Sequence, residues 1–97
     1  MTKSEIANEL FNAVAGNRQS MYNMGYLCTE FAKNVINNPD VFPNTDTAAN
    51  GLISVARLWN DLSEKEGKTD YGLIVEARDL TLDVFKNELL IDLAEGY

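Results

Sequence analysis

Met21, Met24, Cys28, Phe31 and Val35 recur at alternating steps of three and four residues. That spacing lines side chains along one face of an α-helix. Leu27, Ala32 and Ile36 widen the stripe, and Gly25 interrupts it only at a tolerable cost in helix propensity. The segment 20–36 therefore reads as a helix whose apolar face must be covered by other parts of the chain.

Three further segments offer such faces. Over 4–15, Ile6, Leu10 and Val14 repeat at four-residue steps, with Ala7 and Phe11 beside them. Thr2 and Glu5 have the spacing of a capping box, and Gly16 is a natural helix stop. Over 47–64, Leu52, Val55, Trp59 and Leu62 share a face, with Asn44, Thr45 and Asp46 available as caps. Asn50-Gly51 lacks flanking strands, so it is expected to mark a bent or unravelled first turn.

The segment 71–94 is the most ambiguous. Leu80 to Val84 alternates like a strand, but Glu76, Asp79, Asp83 and Lys86 trace a polar stripe at helical spacing opposite Leu73, Ala77, Leu80 and Val84. The longer pattern predicts one helix through Ala94. Its run Leu89-Leu90-Ile91 with Leu93 is too broad for one face of a helix. The segment is therefore either central or partly a subunit interface, with Leu89 and Ile91 as self-association candidates. A homodimer fits the pattern as readily as a monomer.

Between the second and third helices, two prolines and clustered Asn and Asp make residues 37–44 the clearest loop. Gly67-Lys68 marks another break. The expectation is an all-α, compact antiparallel bundle of about four helices forming one domain over residues 1–97.

Composition narrows the chemistry. The chain has no histidine and one cysteine, so Cys/His zinc sites and histidine-assisted catalysis lose their usual residues. Cys28 falls in the apolar stripe with no histidine to activate it, and a buried, inert thiol is expected. Gly67-Lys68-Thr69 resembles the end of a phosphate loop, but the required first glycine is Leu62 and no hydrophobic strand precedes it. A calcium loop starting at Asp46 fails at Ala48 and Arg57, the third and twelfth positions. Carboxylates such as Glu76 and Asp79 sit on a stripe that faces water rather than in a pocket that would separate their pKa values. The expectation is no enzyme, no cofactor and no metal.

Charge supplies the remaining clue. Residues 38–97 hold twelve acids and five bases, which accounts for the whole net charge of −7. Scattered bases without a basic run disfavour direct nucleic-acid binding and adhesion to anionic membranes. No apolar run approaches the roughly 20 residues of a bilayer span, and nothing resembles a secretory signal, so the cytoplasm is expected.

The functional expectation is a small acidic regulator, adaptor or inhibitor that binds a macromolecular partner, one with a basic surface, through its acidic C-terminal helices. Glu64, Glu66, Glu76, Asp79 and Asp83 are the candidate contacts, and Phe42, an aromatic in the central loop, is a candidate anchor. Two alternatives remain. One is a phage or mobile-element inhibitor that mimics nucleic acid to block a basic nucleic-acid-binding protein. The other is a self-assembling structural helical module.

Overall fold

In the computed structural model, residues 2–65 and 70–96 are described. They form α1 (Lys3–Val14), α2 (Arg18–Asn37), α3 (Thr45–Glu64) and α4 (Tyr71–Asp83), followed by a π-helical turn (Val84–Glu88) and a 3₁₀ turn (Leu93–Gly96). No strand occurs among the described residues. The architecture is all-α, as the periodicity predicts, and fills an envelope of 42 × 24 × 20 Å.

The helix ends follow from local chemistry. Thr2 caps α1 by accepting from Glu5 N–H at 3.3 Å, and its hydroxyl donates to Glu5 Oε1 at 3.1 Å. Gly16 has φ +93°, which a residue without Cβ adopts freely, and Asn17 N–H then reaches back to Asn12 O at 3.1 Å. The same Asn17 starts α2 by accepting from Ser20 N–H at 3.2 Å. One short turn thus ends α1 and begins α2.

Helices α2 and α3 run antiparallel. The start of α2 meets the end of α3, where Arg18 Nε donates to Ser63 O at 3.0 Å. Gly25 of α2 lies against Asn60 and Ala56 of α3, so a Cβ there would overlap the Asn60 side chain and sit 3.1 Å from Ala56 O. Its glycine allows the two backbones to approach. Asn44 precedes α3 in the left-handed region at φ 52°, and its side chain makes no capping bond.

The Asn50-Gly51 pair corrects an expectation. It lies within continuous α3 rather than in an unravelled turn. Gly51 leaves room for Val84, whose Cγ2 would be 3.0 Å from an added Cβ. The glycine serves packing between elements.

The C-terminal region corrects a second expectation, the single helix over 71–94. Helix α4 stops at Asp83. A straight helix buries one stripe, whereas Phe85, Leu89 and Leu93 all reach the core here and Ile91 packs partly against it. The π turn changes the phase of the side chains, closed by Leu89 N–H to Val84 O at 3.2 Å. Leu90 then adopts φ +59°, and Ile91 N–H reaches Phe85 O at 2.7 Å. That left-handed conformation costs a leucine about 1–2 kcal/mol. It returns the chain so that the final 3₁₀ turn packs on α1.

The core gathers Leu10, Met21, Met24, Leu52, Trp59 and Phe85, all essentially inaccessible. Phe31 meets Phe85 edge to face at 5.2 Å, tying α2 to the π turn.

Candidate interaction surfaces

Asp70 caps α4 by accepting from Gly72 N–H at 2.8 Å. Ile74, Ala77 and Thr81 of α4 are buried, which fixes the helix's rotation. Glu76, Asp79 and Asp83 fall on the opposite side and are exposed. Asp79 is already engaged by Arg78, whose Nη2 lies 2.9 Å from its Oδ1. Glu76 and Asp83 make no ion pair among the described residues.

Glu64 occupies a different place. It shares an open concavity with Arg18, Gln19, Tyr22, Asn60 and Ser63, between α2 and α3. The structure therefore brings Glu76, Asp79 and Asp83 together on α4, and sets Glu64 beside α2. Glu66 lies outside the described residues, as does the phosphate-loop fragment at 67–69.

Phe42, the candidate loop anchor, is half-buried and packs against the core. Its carbonyl accepts from Thr45 Oγ1 at 3.2 Å. Of the two self-association candidates, Leu89 is buried and Ile91 is partly covered. Between them, Leu90 stands out into solvent.

Two tyrosines form a second exposed feature. Tyr22 and Tyr26 are one turn apart on α2, and each is more than half exposed. Concavities flank them, one lined by Asn23, Leu27 and Phe31, the other by Thr29, Lys33 and Asn60. Their positions off the stripe of Met21, Met24 and Cys28 already signal exposure; the hollows beside them depend on the neighbouring helix.

Cys28 is inaccessible, and burial pushes its thiol up to about 12. The neutral thiol is thus the folded form at physiological pH. Among the described residues no group of three Cys, His, Asp or Glu side chains is placed to hold a metal ion. No described helix is long and apolar enough to cross a membrane. No protein family, curated protein or solved structure matches the chain.

Proposed function

We propose that this protein is a non-catalytic interaction module, a regulator, adaptor or inhibitor, that binds a basic macromolecular surface through α4. The observation that supports the reading is the exposed stripe of Glu76, Asp79 and Asp83 directly opposite the buried side of one capped helix. The packing of Ile74, Ala77 and Thr81 fixes the rotation of the helix, so its backbone presents the three carboxylates without rearranging. Complementary charge accelerates encounter and selects partners, with an effect that salt screens.

Mimicry of a nucleic-acid strand draws less support. The three acids span about 10 Å of helix, roughly 5 Å apart. Phosphates along one strand are closer, at ~3.4 Å. Asp79 also gives part of its charge to Arg78, and Glu64 lies beside α2 rather than extending the row.

A pull-down from the native cell or its host at low and high salt tests the proposal. A partner retained at low salt is expected to be lost at high salt and with the triple variant Glu76→Lys, Asp79→Lys, Asp83→Lys. Binding indifferent to both changes would rule out the electrostatic role of α4.

A further inference from the structure

Three local costs meet in one short stretch after α4. Leu90 is left-handed at φ +59°, where Cβ repulsion disfavours leucine, and its exposed side chain recovers nothing from the core. Residues 84–88 form a π turn, a rarer geometry than the α-helix before it. Glu88 Oε2 is buried there with no hydrogen-bond partner among the described residues, which is unfavourable for a carboxylate oxygen.

The local sequence does not demand this break. No glycine or proline lies between Leu73 and Glu95, so α4 could continue straight. The break is imposed instead by a seat on the far side of the chain. Leu93 is inaccessible, the final 3₁₀ turn packs on α1, and Ile91 shares a concavity with Ile6 and Phe31. A straight helix would relieve the hinge but pull Ile91 and Leu93 out of that seat, leaving it empty.

We propose that residues 84–90 are the hinge of a domain-swapped homodimer, in which α4 runs straight through Leu90 and residues 91–96 fill the α1 seat of a second copy. The seat already shows what covers it, because the same segment fills it within one chain. The swap keeps the contacts of Ile91 and Leu93 while both hinges lose their strain, and short strained hinges invite such exchange. Against this gain stands the entropy of joining two chains, so the swapped form grows with concentration. Glu76, Asp79 and Asp83 precede the hinge, and the acidic side of α4 is common to both forms. Ile91 thereby serves self-association without offering an exposed patch.

Sedimentation equilibrium across a wide concentration range is expected to show a reversible dimer of the native chain. Leu90→Gly accepts the left-handed backbone and weakens a straight helix, so it should raise the dissociation constant by at least about tenfold. Where both chains are monomeric, the same variant should melt at a higher temperature, which separates loss of the swap from loss of the fold. A chain carrying both Ile6→Cys and Ile91→Cys identifies the arm's destination. Bridged with a short bismaleimide in the isolated dimer, it is expected to link two chains covalently, and the buried Cys28 does not compete. A chain monomeric at the highest concentration, a dimer indifferent to Leu90→Gly, a Leu90→Gly monomer that melts no higher, or bridges confined to single chains would each overturn the proposal.

Discussion

Trp59 Nε1 donates to Thr81 Oγ1 at 2.8 Å, with both side chains fully buried. The Thr81 hydroxyl in turn donates to Ala77 O at 2.7 Å, so the indole donor and the hydroxyl are both satisfied inside the core. This short relay joins α3 to α4 and fixes which side of α4 faces outward. The acidic stripe depends on it.

Replacing Thr81 with valine keeps the shape and deletes the acceptor. The indole N–H is then buried without a partner, which costs about 1–3 kcal/mol. Urea denaturation is expected to show that loss. Trp59→Phe in the same chain should cost less than the sum of the single changes, because the two residues share one bond. Strict additivity would mean that the bond contributes nothing.

Gly25→Ala sets two effects against each other. Alanine gains about 1 kcal/mol in helix propensity. Crowding against Asn60 and the Ala56 carbonyl costs roughly 1–3 kcal/mol, and backbone carbonyls yield little. Net destabilisation is expected in thermal melts. Adding Asn60→Ala should recover part of it, since only the side-chain portion of the clash is then removed.

Cys28 predicts a slope in alkaline stability. Its folded pKa is raised to about 12, while an unfolded cysteine ionises near 8.5. Above the unfolded value the denatured chain releases a proton that the native chain keeps. Stability present below pH ~8.5 therefore falls as pH rises toward 12, by up to about 1.4 kcal/mol per unit. Denaturation of the native chain and Cys28→Ala between pH 8 and 11 should show a shallower decline in the variant. Equal slopes would place the thiol in a solvated site. The native thiol should also resist disulfide reagents at neutral pH until the protein unfolds.

Much of this architecture is written in the spacing of apolar residues. Helices α1, α2 and α3 have one clear stripe each, and Thr2, Gly16 and Asn17 punctuate them with their own side-chain and backbone preferences. The acidic row on α4 is legible for the same reason, since Glu76, Asp79 and Asp83 repeat at helical steps. Beyond Asp83 periodicity loses its force. An α-helix, a π turn and a left-handed residue use the same apolar letters here, and the choice is made by contacts with Gly51, Phe31 and α1. A leucine in the left-handed region carries no local signal, because the residue expected there is glycine. Glu64 fails to join the α4 row because its place depends on how α3 packs, which its distance in sequence from Glu76 does not encode.

The return of residues 93–96 onto α1 has a kinetic consequence. Helices α2 and α3 are joined by only seven residues, 38–44, so their pairing closes a small loop. Bringing α1 to the final turn closes roughly eighty, which costs about 2 kcal/mol more in chain entropy. The α2–α3 hairpin is therefore the expected folding nucleus, and the α1 seam zips shut after the barrier. Leu93→Ala should consequently steepen nothing on the refolding arm of a chevron plot and accelerate unfolding by at least about tenfold. In this chain the contact that finishes the core is also the clasp that governs how long the native state lasts.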